Sequence, residues 1–193
     1  MTNTAPPGPE RLQGRRVELA EHDPAWAAAY ERERRTITSA LGDRALLIEH
    51  AGSTSVPGLV AKPVLDLVLA VADPADEVAY VPDLARAGYV LHIREPDWHE
   101  HRFLRRETPR VNLHVFTAGS PEIARMLAFR DRLRCDPAAR EHYAEVKREL
   151  AAREWRLMQD YADAKDAVVA EILAGTAREN RADASSRGSS GDP

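Results

Sequence analysis

The sequence predicts an α+β domain, α/β-like in character, in which a small mixed sheet follows one helix and precedes a layer of helices. Two runs of branched apolar residues, Ala45 to Ala51 and Val64 to Val71, have the length and composition of buried strands. Three residues that suit an N-cap, Asp23, Ser120 and Asp136, each precede a proline and a segment of helical character. Because proline fits the first turn of a helix, these pairs predict three helix starts.

The other elements follow in chain order. The first helix is expected to end at Gly42, and residues 73–87 are expected to form a helix disturbed by Pro82. Three short strands are predicted next, and the turn at Thr108-Pro109 should join the last two as a hairpin. These strands are Tyr89 to Ile93, Arg102 to Arg106 and Val111 to Phe116. Helices over residues 121–134, 137–158 and 160–173 complete the predicted layer.

The composition is that of an ordinary globular protein, with 44% hydrophobic and 30% charged residues among 193. The net charge of -4 disfavours nucleic acid and anionic membranes as partners, and no segment approaches the roughly 20 apolar residues of a membrane span. The single cysteine, Cys135, excludes an intrachain disulfide and predicts a reduced thiol in a cytoplasmic protein. Residues 1–14 are expected to form a flexible arm, 15–175 the folded domain, and 176–193 a disordered tail without large apolar residues.

The most informative segment is the loop after the first predicted strand, His50-Ala51-Gly52-Ser53-Thr54-Ser55-Val56-Pro57-Gly58. Gly52 lets the backbone approach a ligand closely, and Ser53 and Thr54 add hydroxyl donors to the exposed N–H groups, which suits phosphate oxygens. Asp66 stands inside the next apolar run, where a carboxylate is costly to bury unless it is paired or metal-bound. The pattern predicts a site for a nucleotide or another phosphorylated small molecule, with Asp66 suited to its bound divalent cation.

Alternation within the strands adds further candidates. Asp66 should project from one face of its strand, and His114 should face the same way if the two strands are neighbours. Lys62, Arg102 and Arg105 are candidates for a rim that binds an anion, with solvent-exposed charge at the strand edge as the structural alternative. Because Arg102 and Arg105 cannot both face one side of a regular strand, at most one of them should point inward.

Each candidate also has a purely structural interpretation. Asp66 could form an ion pair with Lys62 or Arg102, and His114 could be an ordinary core histidine. His50 is more readily explained by a hydrogen bond that shapes the loop than by catalysis. A weaker alternative, lacking both paired cysteines and a helical His-Glu-x-x-His, is a metal cluster formed by Asp97, His99 and His101.

Several stretches of this sequence resemble the GrpB family. They are the loop above with Glu49 before it, Lys62-Pro63-Val64-Leu65-Asp66-Leu67, His101-Arg102-Phe103-Leu104-Arg105-Arg106, Asn112-Leu113-His114-Val115-Phe116 and Tyr161-Ala162-Asp163-Ala164-Lys165. The resemblance extends from about Val17 to Leu173 and implies a nucleotidyltransferase-like fold, a mixed sheet that bears a Gly-Ser loop and a carboxylate strand. It also implies that Lys147, Tyr161 and Lys165 project toward the cleft. Some relatives occur fused to dephospho-CoA kinase, which implies nucleotide-related metabolism.

One position departs from the pattern of active nucleotidyltransferases, which carry a second carboxylate two residues after the first. Here that position is Val68. Two magnesium ions need shared carboxylates, so the departure disfavours standard two-metal transfer. Asp66 and His114 would instead hold one divalent cation, magnesium or manganese, of which manganese suits imidazole better.

The predicted site therefore has two groups of residues. The catalytic candidates are Asp66, His114 and Lys62. The candidates for binding the phosphate or ligand are Gly52, Ser53, Thr54, Ser55, His50, Arg102, Lys147, Tyr161 and Lys165.

Two functions of different classes follow from these residues. The first is a nucleotidyltransferase-like enzyme that transfers a nucleotidyl or phosphoryl group, mainly by positioning and electrostatic stabilisation. The second is a noncatalytic nucleotide- or ligand-binding regulatory module on the same fold, motivated by Val68. The substrate, the acceptor and the oligomeric state are not determined by the sequence.

Overall fold

The computed structural model describes residues 11–175, with side chains from residue 16 onward. Its strands and helices begin with β1 (Arg11–Arg15), α1 (Ala25–Leu41), β2 (Leu47–Ala51), β3 (Leu65–Val71), α2 (Val81–Arg86), β4 (Val90–Glu95), β5 (His101–Arg106) and β6 (Val111–Thr117). They continue with α3 (Pro121–Cys135), α4 (Pro137–Ala151), β7 (Trp155–Leu157), α5 (Met158–Asp163) and a last helix, α6, over residues 166–175. The predicted mixed α+β class is confirmed.

Five strands form one mixed sheet in the order β2-β3-β6-β5-β4. β3 and β6 run parallel, and the other neighbouring pairs are antiparallel, including the predicted β5-β6 hairpin. The parallel register pairs Asp66 with Asn112 and Val68 with His114. Because paired residues project from the same face of a sheet, the side chains of Asp66, Asn112 and His114 emerge on one side.

The two faces of this sheet pack against different layers. Leu65, Leu67 and Leu69 lie on one face, where they join the main hydrophobic core with residues of α1 and α2. Val68 lies on the other face, in a smaller cluster with Ala51, Ala70, Phe116 and Ile123 of α3. The rest of that second face is left for polar side chains, and the candidate site occupies it.

Two predicted boundaries are wrong, both because backbone pairing and caps are not visible in the spacing of apolar residues. The helix predicted over 137–158 ends at Ala151, where the indole N–H of Trp155 donates to the carbonyl of Leu150 at 2.8 Å. The chain then forms β7, which pairs antiparallel with β1. Residues 11–14 of the predicted arm therefore belong to a strand, whereas residues 1–10 and the predicted tail, 176–193, lie outside the described residues.

The helical segments around prolines and turns are also shorter than predicted. Residues 73–87 contain a 3-10 turn, Glu77–Ala79, followed by α2, with Pro82 in its first turn. Proline lacks the N–H that a preceding helical turn would need, so the helix begins there. The last predicted helix is divided by a turn at residues 164–165 into α5 and α6. In the part of the chain that the structure describes, no helix has the length and apolar character needed to cross a membrane.

A buried carboxylate ties α1 to the sheet. Glu33, only 3% exposed, accepts hydrogen bonds from the hydroxyl of Tyr89 at 2.6 Å and from Nη1 of Arg106 at 2.9 Å. A buried ion pair is costly to break, because the remaining partner loses its counter-charge without regaining water. Glu33 thus anchors the helix over the main core.

We expect Glu33→Ala to lower the free energy of unfolding by about 2–4 kcal/mol, since Arg106 and Tyr89 both lose their buried acceptor. Glu31→Ala is the matched control on the same helix, because Glu31 pairs only with exposed Arg34. Its loss should stay below about 1 kcal/mol. Urea unfolding followed by circular dichroism measures both variants, and equal losses would contradict the anchoring role of Glu33.

Candidate functional site

The Gly52 loop lies directly against Asp66. Gly52 has φ 62° and ψ -176°, a backbone conformation that is essentially restricted to glycine. A Cβ atom built on Gly52 would lie 2.3 Å from Oδ2 of Asp66 and 2.8 Å from its Cβ, which is closer than atoms can approach. Glycine is therefore required for two reasons: the turn needs its backbone conformation, and the carboxylate of Asp66 leaves no room for a Cβ atom. The loop and the carboxylate meet at one point, and the 3-10 turn Ser53–Ser55 follows immediately.

Asp66 is held by an amide and lies near the ammonium groups of two lysines. Nδ2 of Asn112 donates to Oδ1 of Asp66 at 2.8 Å. The negative charge of Asp66 favours the protonated forms of Lys147 and Lys165, and the charge of Lys62 acts on Lys165 in the opposite sense. Lys147 and Lys165 thus lie within electrostatic reach of Asp66, and Lys62 lies within electrostatic reach of Lys165.

Lys147 is buried, and Lys165 is partly buried. Burial, together with the nearby Lys165 charge, lowers the pKa of Lys147 to about 7, although Asp66 partly opposes the shift. The ammonium of Lys147 donates to the carbonyl of Val60. Burial also lowers the pKa of Lys165, whose ammonium lies 4.6 Å from the centre of the Tyr161 ring. A bound anion would stabilise both lysines in their charged forms.

The hydroxyl of Tyr161 is a further polar group in this region. Tyr161 is 4% exposed, and its hydroxyl has no hydrogen-bond partner among the described residues. An unpaired buried hydroxyl costs about 1–3 kcal/mol, so this group is poised to donate to a ligand oxygen. It lines the same cavity as Asp66 and the three lysines.

These groups line a cavity of about 630 Å³ on the second face of the sheet. Its floor comes from β3, β4, β5 and β6, and its opposite wall comes from α4, α5 and α6. Charged and polar side chains at one end include Ser53, Thr54, Lys62, Asp66, Asn112, Lys147, Tyr161 and Lys165. Aromatic, imidazole and apolar side chains at the other end include His92, Ile93, Trp98, His101, Phe103 and His114.

Two histidines that line the cavity, His101 and His114, form a hydrogen bond between their rings. Nδ1 of His101 lies 2.7 Å from Oε2 of Glu95, and its Nε2 lies 3.1 Å from Nδ1 of His114. Burial lowers the pKa of His101 and of His114 to about 4, so both rings are neutral at pH 7. With a proton directed from His101 to the carboxylate, His114 donates through Nδ1, and its Nε2 is left unprotonated.

The structure brings together most of the predicted site residues. Beside Gly52 and Asp66, the residues that line the cavity as expected are Ser53, Thr54, Lys62, His114, Lys147, Tyr161 and Lys165. These residues come from loops, strands and helices far apart in the sequence, and the sheet register carries Asp66 and His114 to the same side.

Three predicted ligand-binding residues lie elsewhere. His50 pairs with Leu67 on the opposite face of the sheet, stacks on Tyr30 and places Nε2 3.0 Å from Oγ1 of Thr54. Its role is to shape the loop, because its ring does not reach the cavity. The hydroxyl of Ser55 donates back to the carbonyl of Gly52 at 2.6 Å, which closes the turn.

Arg102 is the third correction. Its guanidinium points to the opposite face, is 6% exposed, and donates to Glu77 at 2.7 Å. Arg105, three residues later, lines the cavity instead. The expectation that at most one of the two arginines points inward is therefore confirmed, but the choice of Arg102 is wrong, since the strand register was not available from the sequence.

Sequence reasoning missed several residues of the cavity. Alternation along β5 places His101, Phe103 and Arg105 on one face, and this pattern was readable in principle. Asn112, the amide that holds Asp66, entered the sequence prediction only as part of a stretch that resembles the GrpB family. Arg125, on α3, also lines the cavity. No local sequence pattern predicts that α3 packs next to the site.

The side chains fit a resident metal ion poorly. Among the described residues, no group of three histidine, cysteine, aspartate or glutamate side chains could hold one. The alternative cluster of Asp97, His99 and His101 is therefore not formed. Asp66 and His114 could supply two ligands at most, and neighbouring lysines already balance the carboxylate. A divalent cation at Asp66 and His114 stays a prediction that depends on ligands from a bound phosphate.

Comparison with known proteins identifies the family of this chain. The family model described as "GrpB protein" matches residues 16–175, which include every residue of the cavity. The chain belongs to the GrpB family. A UPF0157 protein of Halalkalibacterium halodurans is 55% identical over 157 residues, which cover 81% of this chain and 80% of that protein.

Structural and more distant matches extend this GrpB assignment. The crystal structure of conserved protein GrpB from Enterococcus faecalis has a TM-score of 0.70 and 30% identity, covering 84% of this chain and 99% of that one. A dephospho-CoA kinase of Mycolicibacterium paratuberculosis is 31% identical over 163 residues, which cover 71% of this chain but 40% of that longer protein. The GrpB unit is thus also found as a part of a larger chain.

We expect Gly52→Ala to be more damaging than a glycine substitution at an open position. Its methyl group would overlap Asp66, in addition to the strain of the positive φ, so the loss of stability should exceed about 3 kcal/mol. Gly58→Ala is the matched control, because Gly58 also has a positive φ, 78°, but nothing within 4 Å of an added Cβ. It should lose only about 1–2 kcal/mol. Chemical denaturation compares the two, and equal losses would argue against close contact between loop and carboxylate.

Proposed function

We propose that this protein binds a nucleotide or another phosphorylated small molecule in the cavity. The observation that carries this proposal is the convergence of Lys147 and Lys165 on the carboxylate of Asp66, next to the Gly52 loop, in a cavity that Lys62 also lines. The cavity lining carries five basic groups, these three lysines with Arg105 and Arg125, against four carboxylates, Asp66, Glu95, Asp163 and Asp166, which leaves a small excess of positive charge in a partly enclosed space. Such an excess suits the several negative oxygens of a phosphate.

The phosphate of a bound ligand would accept hydrogen bonds from donors that line the cavity. The hydroxyl of Ser53 and the unpaired hydroxyl of Tyr161 would donate to phosphate oxygens. Thr54 shapes the turn instead, because its hydroxyl donates to the carbonyl of Val64 at 3.3 Å. Lys147 and Lys165 would supply charge. In this scheme Asp66 positions the lysines and keeps them protonated, so binding does not depend on a resident metal ion.

Group transfer is the reaction that this arrangement favours if the protein is an enzyme. Phosphoryl and nucleotidyl transfer rely mainly on positioning and on charge that stabilises the transferred group. The lysines would provide that charge. The unprotonated Nε2 of neutral His114 would be available to accept a proton from an acceptor hydroxyl. The match to a dephospho-CoA kinase supports a nucleotide-related role, because the GrpB unit accompanies a kinase in that chain.

A noncatalytic binding module is the second candidate, and the position of Val68 favours it. Val68 is fully buried in the cluster with Phe116 and Ile123, so no carboxylate stands where active nucleotidyltransferases carry their second one. Without that carboxylate the site has no means of holding two metal ions in the standard way. Under this alternative, the cavity would bind its ligand without turnover.

The binding proposal predicts that Lys147→Met weakens the affinity for nucleoside triphosphates by about 10- to 100-fold, the value of one charge-assisted hydrogen bond. The matched control is Arg148→Met, since Arg148 is the next residue of α4 but is exposed and pairs with Glu141. It should change the affinity less than about twofold. Isothermal titration calorimetry measures both, and unchanged affinity of Lys147→Met would contradict the proposed site.

The same lysine sets the expected pH dependence. Because the pKa of Lys147 is about 7 in the ligand-free protein, raising the pH from 7 to 9 removes its positive charge and should weaken anion binding. The phosphate itself does not oppose this trend, since its second ionisation lies near pH 6. Lys147→Met should show a smaller fall in affinity over the same range. An equal fall in both proteins would assign the effect to other groups.

Detection of a reaction product distinguishes the proposed enzyme from the noncatalytic binding module. Incubation with a panel of nucleoside triphosphates and candidate acceptors, with magnesium, with manganese and with chelator, should yield a transferred product detectable by mass spectrometry. Asp66→Asn should lower its rate by at least about 10-fold, because the variant no longer holds the lysines in place. Binding without product under all conditions would favour the noncatalytic module.

A further inference from the structure

An aromatic side chain is held at the end of the cavity far from the lysines. Trp98 is 42% exposed and lines the cavity, although tryptophan normally buries most of its surface. It lies in the tight turn between β4 and β5. Its carbonyl accepts from the N–H of His101 at 3.1 Å, and the two residues between them, His99 and Glu100, both have φ 54°. This is a type I′ turn built without glycine.

The turn is strained, and a buried arginine holds it in place. Two consecutive residues with side chains in the left-handed region cost about 1–2 kcal/mol each. Nη1 of Arg102 donates to the carbonyls of Glu100 at 3.0 Å and His101 at 3.2 Å, while Nε of Arg102 donates to Glu77. Strain of this kind persists where the surroundings over-determine the conformation, and it often occurs at ligand sites.

With 42% of its surface exposed, Trp98 leaves part of its indole open to a planar ligand. Its contacts with His99, His101 and Phe116 have interplanar angles of 61°, 82° and 73°, so within the described chain each one is of the edge type. The rings of His101 and Phe116 stack on each other with centroids 4.6 Å apart, and the indole of Trp98 contacts both rings. Ile93 and Phe103 line the same end of the cavity.

The distance between the two ends of the cavity limits what can touch both. Asp66, Asn112 and Arg105 are register partners across three strands, whereas His101 lies four residues farther along β5. Four strand residues span about 13 Å along the strand direction. Two strand spacings span about 10 Å in the perpendicular direction, across the sheet. A ligand that reaches from the lysines to Trp98 must therefore be long, with anionic groups at one end and a planar group at the other.

We propose that Trp98 is the stacking platform for the base of a nucleoside di- or triphosphate whose phosphates lie among Lys62, Lys147, Lys165 and Tyr161. This rests on the proposed function, and it narrows the ligand class from any phosphorylated small molecule to an extended nucleotide. Base stacking on an aromatic side chain tolerates every base, since each has a flat π-face. Trp98 thus supplies affinity for the nucleoside, and the lysines supply affinity for the phosphates.

Calorimetry with ATP, GTP, CTP, UTP and inorganic tripolyphosphate tests this assignment. Trp98→Ala should weaken the best-bound nucleotide by about 5- to 150-fold, the range known for loss of one stacked base, and should leave tripolyphosphate affinity unchanged. Trp98→Phe keeps an aromatic face and should retain most of the nucleotide affinity. Leu46→Ala is the matched control, because Leu46 is an exposed apolar residue, 53% accessible, outside the cavity.

The outcomes distinguish this inference from the proposed function. Nucleotide affinity that is unchanged in Trp98→Ala would overturn the stacking role, as would equal affinities for tripolyphosphate and the nucleotides in the unmodified protein. In both cases phosphate binding would still stand. If none of these ligands binds the unmodified protein, the proposed function and the stacking role fall together.

Discussion

The arrangement of the site depends on the contact between the backbone of Gly52 and the carboxylate of Asp66. That contact leaves no room for a side chain at position 52, so the loop and the strand behave as one unit. Asn112 fixes one oxygen of the carboxylate from the neighbouring strand. The negative charge of Asp66 favours the charged forms of both Lys147 and Lys165, and Asp163 and Asp166 add to this effect on Lys165. Loop position, lysine charge and cavity shape all follow from this one contact.

The parallel pairing of β3 with β6 extends the site from that contact across the sheet. It aligns Asp66 with Asn112 and brings His114 two residues farther along the same face. The β5-β6 hairpin then adds His101, Phe103 and Arg105 at matching levels. The cavity floor is thus a set of alternate residues from adjacent strands, which gives it a charged end and an aromatic end. Its far wall comes from helices of the second half of the chain.

The opposite face of the sheet serves stability. Glu33 joins α1 to the sheet through Tyr89 and Arg106, and His50 supports the loop from beneath through Thr54. Arg102 belongs to this supporting side as well. Because it holds the turn that carries Trp98, a residue whose side chain lies on the opposite face of the sheet can still shape the aromatic end. Charged residues on the two faces of one strand therefore have different tasks.

Local patterns predicted the sheet strands, the helix starts and the face that Asp66 shares with His114. They did so because apolar alternation and N-cap-proline pairs report on a few neighbouring residues at a time. The end of α4, the pairing of β1 with β7 and the choice between Arg102 and Arg105 were not predictable in this way. Each depends on a partner distant in sequence, through backbone hydrogen bonds or strand register that leave no local periodicity.

The amino-acid sequence by itself determined the chain's family, its mixed α+β class and the glycine-hydroxyl loop followed by a lone carboxylate. The family resemblance implied that Lys147, Tyr161 and Lys165 project toward the cleft, but tertiary structure alone decided that Arg105 and not Arg102 lines the cavity and that Trp98 stands at its far end. The physical reason is that charge and stacking act through space. Side chains separated by up to about a hundred residues become neighbours only after the sheet and its helical layer have packed.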